Sequence, residues 1–437
     1  MSSEMMGSDL TKPYLSGHYT PVTNEISVRD LVVHGSIPPE LEGRYLRNGR
    51  NPRPGTTPAH GFTGAGMIHG VRLSGGHAEW YRNRWVDAGT NVIRHGGRYL
   101  ALQGAEPAWE VTAELDTVGP HAFGGEFAEA MTAHPKRDPV SGELFFYGRD
   151  PVLTLYVAAP DGWITRAEPV EGVGPSLMND FAITADHIIW LDLPVVADSA
   201  AGAGGLCQWS DSHPAQIGVM PRTGPADVRW FEVEPGALLH VANAHADLHG
   251  RVIIEGPRYD RSAWEYSRKW WTGSPGHGVP PLAGSLHHRW ILDPATGRAT
   301  EEPLDTLITE FPTINDAFLG RSNRYSYAVA FPGSGLDHFG VVKYDTATGT
   351  RRLRPFGPDQ MPGEAIFVPA EGATAEDDGY LITIVSDLRR NSSHLLVLDA
   401  AELRDVPIAV VELPRRVPAG FHGNWIPDRL SRPFGAR

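Results

Sequence analysis

From end to end the chain reads as short strand-like runs separated by turns, and no long segment with a 3.6-residue apolar period competes with them. The runs include 66–73, 143–147, 154–158, 187–193, 251–255, 289–292, 325–331, 340–344, 380–385 and 394–398. Turn chemistry is abundant: 49 Gly and 37 Pro make up about a fifth of the 437 residues, against roughly 12% in an average protein. Both residues penalise helix interiors, which argues against a helix bundle. One turn recurs, as Asp138-Pro-Val-Ser-Gly142, Asp293-Pro-Ala-Thr-Gly297 and Asp345-Thr-Ala-Thr-Gly349. In each, Asp can fold back onto backbone amides and Gly supplies the positive φ that closes a hairpin. The first two copies are about 155 residues apart and the last two about 52, a spacing compatible with repeating sheets of roughly 50 residues. The predicted fold is all-β. With no obvious linker in so long a series of strands, a closed β-propeller is favoured over two sandwiches.

Charge narrows the partners. The chain has 38 Lys+Arg against 52 Asp+Glu, a net charge of −14, so it offers no electrostatic footprint for nucleic acid. Only four cations are lysines (Lys12, Lys136, Lys269 and Lys343), which removes a polybasic membrane anchor. Cys207 is the sole cysteine and fits a reducing compartment. The first residues show no charged-then-apolar signal pattern, and no run approaches 18 apolar residues. The expectation is a soluble cytoplasmic protein, monomeric or weakly oligomeric.

Two stretches break the rhythm. Residues 194–205 read as a flexible Ala- and Gly-rich loop. Residues 259–287 form a long insertion carrying Trp264, Tyr266, Trp270 and Trp271, either a packed cap or a lid over an apolar site. An apolar mouth near Trp270 and Trp271 is also the candidate for transient contact with a membrane surface.

Among 19 histidines, four stand beside turn-forming residues in or next to strands: His134, His187, His240 and His422. Widely separated histidines without cysteine could converge on a propeller axis and bind a borderline metal; scattered structural histidines are the plainer alternative. A second, local candidate is His245, Asp247 and His249, with the two histidines four apart as on one face of a zinc-binding helix. The strand-like run just beyond argues against that helix. No Gly-rich phosphate loop and no Gly-x-Ser-x-Gly nucleophile motif is present.

Several longer motifs occur in order: Leu41-Glu-Gly-Arg-Tyr-Leu-Arg-Asn-Gly-Arg-Asn-Pro52, Gly66-Met-Ile-His-Gly70, Ala133-His-Pro-Lys-Arg-Asp-Pro-Val-Ser-Gly-Glu143, Asn179-Asp-Phe-Ala-Ile-Thr184, Glu310-Phe-Pro312, Glu364-Ala-Ile-Phe-Val368 and Phe421-His-Gly-Asn-Trp425. Together they resemble the carotenoid cleavage oxygenases, a family that includes stilbene-cleaving dioxygenases and the vertebrate retinoid isomerohydrolase. The resemblance implies a seven-bladed β-propeller, a ferrous iron on its axis held by four histidines, and an apolar tunnel under a cap of loops and short helices. It places His134, His240 and His422 on the first, third and fourth ligand positions. At the second, where the family has His, this chain has Asn179. His187 lies eight residues further on, about 26 Å along an extended strand, and cannot stand in without a different chain path.

The resemblance further implies glutamates that accept hydrogen bonds from the ligand histidines: Glu310 under His240 and Glu364 under His422. The glutamate serving the second histidine falls at Gln103, so ligand and partner have changed together; a local misalignment with Glu106 is the alternative. A carboxylate suits an imidazole N–H beside a cation, whereas Gln can pair neutrally with Asn. The Asn179 oxygen could still serve as a harder, weaker fourth ligand. Because the positions 134, 179, 240 and 422 must meet at one centre, residues 1–437 are expected to form one domain.

The function implied is an Fe(II)-dependent oxygenase that uses O₂ to split a conjugated C=C bond of an apolar apocarotenoid- or stilbene-like substrate. A metal-dependent isomerase or hydrolase, or a tailoring enzyme on another natural product, is the alternative within enzymes. A redox-inactive apolar-ligand-binding protein is the alternative outside them. If positions 179 and 103 are coupled through the metal, Asn179→His with Gln103→Glu should raise Fe(II) affinity by more than the two single changes combined. Anaerobic metal titration of the parent, the two single variants and the double variant checks this, and additive effects exclude the coupling.

Overall fold

The computed structural model describes residues 12–125, 127, 129–197, 206–273 and 284–429. Every strand-like run named above falls within or across a strand. The strands assemble into successive antiparallel sheets, mostly of four or five strands, linked in chain order. The long strand Arg298–Thr313 serves two of them: its first part pairs with Leu286–Asp293 and its last residues with Tyr325–Ala330. Counting it once for each gives seven sheets, the blades of a propeller, besides the small hairpin of Val195–Val196 with Gln208–Trp209.

Apolar clusters between the sheets carry the ring round. Leu46, Ile68 and Trp80 of the first sheet meet Val92 and Tyr99 of the second. Leu100 and Leu102 of the second meet Leu144 and Phe146 of the third. The largest cluster joins the third, fourth and fifth through Leu155, Trp190 and Ile254. Tyr327 and Val341 of the sixth meet Leu381 and Leu398 of the seventh, and Ile384 and Leu395 of the seventh meet Tyr45 and Tyr81 of the first. Sheets clamped between neighbours bury both faces, so their strands need not alternate. Gly43–Arg50 is an example, buried over its first seven residues although it contains Arg44, Arg47 and Asn48.

Both chain ends contribute to closure. Gly423–Pro427 pairs with Gly43–Arg50 in the first sheet, and Val33–Gly35 pairs with Ala409–Leu413 in the seventh. The innermost strands pack against one another: Gly423–Pro427 touches both Asn91–His95 and Ile366–Pro369, and Ala182–Ile183 touches Asn243–Ala246.

All three Asp-Gly turns form as expected. Asp138 Oδ1 accepts from the backbone N–H of Val140 at 2.7 Å, Asp293 Oδ1 from that of Ala295 at 2.8 Å, and Asp345 Oδ1 from that of Ala347 at 3.0 Å. The closing glycines have φ of 74°, 73° and 66°. Their spacing is only partly a repeat. The turns at Asp293 and Asp345 join the third and fourth strands of adjacent sheets, but the turn at Asp138 joins the first and second strands of its sheet, so the 155-residue interval reflects local turn chemistry.

The aromatic insertion is a packed cap. Asp260 caps helix α1 (Arg261–Trp271) by accepting from Ala263 N–H, and Trp264, Trp270 and Trp271 are all buried. Trp271 lies against Phe62 and Trp270 against Tyr19. The two tryptophans suggested for membrane contact therefore face inward. Residues 274–283 of the insertion, and 198–205 of the loop expected to be flexible, lie outside the described residues. No described helix is long and apolar enough to cross a membrane.

One buried histidine ties the fifth sheet to the sixth. His287 stacks on Tyr344, ring centroids 4.6 Å apart, and burial, reinforced by Arg289 and His288, lowers its pKa to about 4. The folded value lies below the unfolded one, so stability is full above pH about 6.5 and falls by up to about 1.4 kcal/mol per unit as the pH drops towards 4. Between pH 7 and 5, His287→Phe should lose about 2 kcal/mol less than the parent in urea unfolding; equal losses would place the acid sensitivity elsewhere.

Candidate metal centre

The site forms where inner strands begin. His134 lies two residues before Lys136–Arg137, Asn179 three before Ala182–Ile183, His240 three before Asn243–Ala246, and His422 one before Gly423–Pro427. Four different sheets thus deliver four side chains from the corresponding end of their innermost strands. Among the described residues, His134, His240 and His422 are the only group of three or more His, Cys, Asp or Glu whose ligand atoms could share an ion; those atoms lie within 4.8 Å of one another.

Carboxylates orient two of the three rings. Glu310, fully buried, accepts from His240 Nδ1 at 2.6 Å, from the Tyr259 hydroxyl at 2.8 Å and from Phe311 N–H at 2.6 Å. Glu364 accepts from His422 Nδ1 at 3.2 Å and from Gly423 N–H at 2.9 Å. With Nδ1 engaged, each ring has its Nε2 lone pair free for the centre, the arrangement by which a carboxylate fixes a metal histidine. Phe311 has φ of 54°, unusual for a bulky residue, and pairing is irregular between Glu310 and Thr313. The resulting bulge turns the Phe311 ring onto His240 in a stacked contact at 5.3 Å.

The three rings sit in different fields. Burial drives the His134 pKa well below the usual imidazole range, and His422, His240 and Lys136 add to it. Burial also pulls His240 down, but the adjacent Glu310 carboxylate outweighs it and leaves the value raised. A neutral His134 and two carboxylate-oriented rings form a donor set suited to a borderline divalent metal, and the three could hold one.

Asn179 occupies the side of the centre next to His134. Its amide Nδ2 lies 3.1 Å from His134 Nε2 and donates to Leu239 O at 2.8 Å. The Leu239 carbonyl can only accept, so it is the nitrogen of Asn179 that faces His134. Gln103 does not pair with Asn179 in this arrangement: its Oε1 accepts from Gly89 N–H at 3.4 Å. His187 sits at the start of its strand, bonded through its N–H to Thr184, outside the cluster. The local zinc-helix alternative is absent in form, because His245 lies in strand Asn243–Ala246 and Asp247 caps a turn by accepting from His249 and Arg251 N–H.

Two supports escaped the sequence. Asp180, almost wholly buried, pairs with Lys136 at 2.8 Å and accepts from Val241 N–H, clamping the segments that carry His134, Asn179 and His240. Tyr259 holds Glu310. A lysine two residues beyond His134, one of only four, was a visible signal for the first; nothing in the local sequence marks the second.

A family model described as "Retinal pigment epithelial membrane protein" matches residues 19–88 and 87–427. A carotenoid cleavage oxygenase of Mycobacterium tuberculosis is 36% identical across 95% of this chain and 97% of its own. The chain belongs to the carotenoid cleavage oxygenase family. Carotenoid 9,10(9',10')-cleavage dioxygenase 1 of Arabidopsis thaliana is 30% identical, with 97% and 91% of the two chains covered. Solved structures agree: cobalt-substituted Synechocystis apocarotenoid oxygenase aligns with a TM-score of 0.85 at 26% identity over 95% of this chain and 98% of its own. Pseudomonas brassicacearum lignostilbene dioxygenase gives 0.85 at 26% over 96% and 99%. This member of the carotenoid cleavage oxygenases is accordingly an oxygenase with the seven-bladed fold of its relatives.

Replacing Glu310 by Gln leaves one acceptor oxygen for three donors. Loss of such a partner typically weakens metal binding 10–100-fold. Anaerobic competition titration with Co(II) should show that loss for Glu310→Gln and a smaller one for Tyr259→Phe. Unchanged affinity in Glu310→Gln would mean the carboxylate does not orient a ligand.

Proposed function

We propose that this chain is a non-haem iron enzyme that uses O₂ to cleave a conjugated C=C bond of an apolar apocarotenoid- or stilbene-like substrate, giving carbonyl products. Residues 1–437 act as one domain in this reading, with His134, His240 and His422 as metal ligands and Asn179 beside them. The observation that carries it is the convergence of three imidazoles, two of them backed by buried carboxylates, in a family whose named members cleave carotenoids and stilbenes. Iron(II), when bound, supplies the redox chemistry with O₂.

The chain's own residues provide alignment and a dry setting. Phe311 covers one face of His240, and Leu239 and Ala419, neighbours in sequence of His240 and Phe421, join an apolar cluster with Phe331, Phe339 and Met361. Phe421 stacks on Phe62, extending the apolar surface to the tryptophans of helix α1. These apolar groups keep water away from the centre, as an apolar substrate requires. Glu310 and Glu364 do not act as general bases, because their oxygens are engaged by His240, Tyr259, Phe311, His422 and Gly423. Lys136 is held by Asp180 and offers nothing to a substrate phenolate.

Protein prepared anaerobically and loaded with Fe(II) should consume O₂ only when a conjugated alkene is supplied, and His240→Ala should abolish it. With ¹⁸O₂, label should enter the carbonyl products. Failure to consume O₂ across a panel of apocarotenoids and stilbenes would sink the proposal, and label entering from water alone would favour an isomerase or hydrolase.

A further inference from the structure

Arg47 is a buried cation. It lies in strand Gly43–Arg50, only 3% exposed, and its guanidinium Nε and Nη1 have no hydrogen-bond acceptor. The fold makes room for it with glycines: a side chain at Gly363 would come within 2.9 Å of its Cζ, and one at Gly420 within 3.2 Å of its Nε. Glu364 is the carboxylate whose charge reaches it, but the two form no ion pair, since the Glu364 oxygens hold His422 and Gly423. A guanidinium cannot shed its proton in the way a lysine can, so burial must be balanced by a counter-charge.

A small cavity lies against this group. It is lined by Arg47, Arg50, Met67, His69, Ala419 and Gly420, among others, and no acidic side chain is among the residues lining it. Its free volume of about 10 Å³ is close to the room of a single small particle. Arg50 also has an unpartnered buried Nε. His69 faces Arg47 across the strand pair and is 4% exposed. Its Nδ1 is bonded to the Tyr81 hydroxyl at 2.8 Å, so with Tyr81 donating, Nε2 carries the proton and is a second donor for the cavity. Burial and the charges of Arg47, Arg415 and Arg416 keep this imidazole neutral.

We propose that this cavity binds one small monovalent inorganic anion of the halide class, chloride in particular, held by the Arg47 guanidinium and the His69 Nε2–H. The donors are buried, no carboxylate lines the cavity, and room for a single small particle favours a monatomic ion over an oxyanion such as sulfate. The site lies beside the Glu364–His422 pair but requires neither iron nor substrate, so it stands or falls independently of the proposed reaction. The anion neutralises Arg47 and leaves the Glu364 charge to His422.

The probe is bromide. Crystals of the full chain grown in sodium bromide should give an anomalous peak within hydrogen-bond distance of the Arg47 guanidinium, and Tm should rise with chloride concentration relative to gluconate at constant ionic strength. Arg47→Met should lose both the peak and the chloride-dependent shift. If Arg47→Met fails to fold, His69→Phe and the parent titration decide the matter. A water-only site, equal Tm in chloride and gluconate, or a peak without a Tm response, meaning an adventitious ion only, overturns the proposal.

Discussion

The centre depends on a hydrogen bond that could not form in water with comparable effect: a buried carboxylate accepting the Nδ1–H of an imidazole. Glu310 is wholly buried, and an unpaired carboxylate there would carry the full cost of its lost hydration. Three donors from different parts of the chain prevent this: His240, Tyr259 and the backbone of Phe311. Each donor imposes a demand on the fold. Tyr259 must end its strand beneath the centre, and the backbone must bulge after Glu310 so that Phe311 N–H turns back, at the cost of a positive φ for an aromatic residue. The same bulge seats the Phe311 ring on His240. Ligand orientation, backbone strain and the apolar lining thus come from one local device.

The arrangement is not symmetric around the axis. His240 and His422 each have a carboxylate, whereas His134 has the amide of Asn179 opposite its Nε2. An imidazole nitrogen has one lone pair, so His134 can accept the Asn179 N–H or serve a metal, but not both at once. For the Asn179 oxygen to face the centre instead, the bond from Nδ2 to Leu239 O has to be given up. Leu239 directly precedes His240, and Asp180, next to Asn179, holds Val241. Two hydrogen bonds therefore tie the segments around positions 179 and 240 together, and turning the amide breaks one of them.

Short-range features were legible in the sequence because their causes are local. Alternation and turn residues mark the strands, and an Asp four residues before a Gly marks hairpins whose side-chain bonds form as the chemistry requires. The 155-residue interval misled because the same turn can join any two adjacent strands. No spacing rule could bring 134, 240 and 422 together, since their meeting is set by where inner strands begin in three separate sheets. Only the ordered motifs of the family carried that information. The pairing of Gln103 with Asn179 was a pairwise inference from a site in which each residue turned out to have a backbone partner available, Gly89 for one and Leu239 for the other. Backbone groups bear no signature in the sequence, and they decided the outcome.

The centre also spans the seam of the ring. His422 stands one residue before the C-terminal strand that pairs with Gly43–Arg50, and its carboxylate Glu364 comes from the seventh sheet. The Tyr45 hydroxyl, in the first sheet, reaches across to the Glu364 carbonyl at 3.3 Å. A chain whose ring has opened at this seam keeps His134 and His240, on the third and fifth sheets, but separates His422 from Glu364, leaving two ligands where three are needed. An ion held by all three histidines would bind the closed ring alone, and its binding free energy would be added to the stability of the seam. The apolar contacts of Ile384 and Leu395 with Tyr45 and Tyr81 hold the same junction without any metal. Closure and coordination therefore reinforce one another at the one place where the two ends of the chain meet.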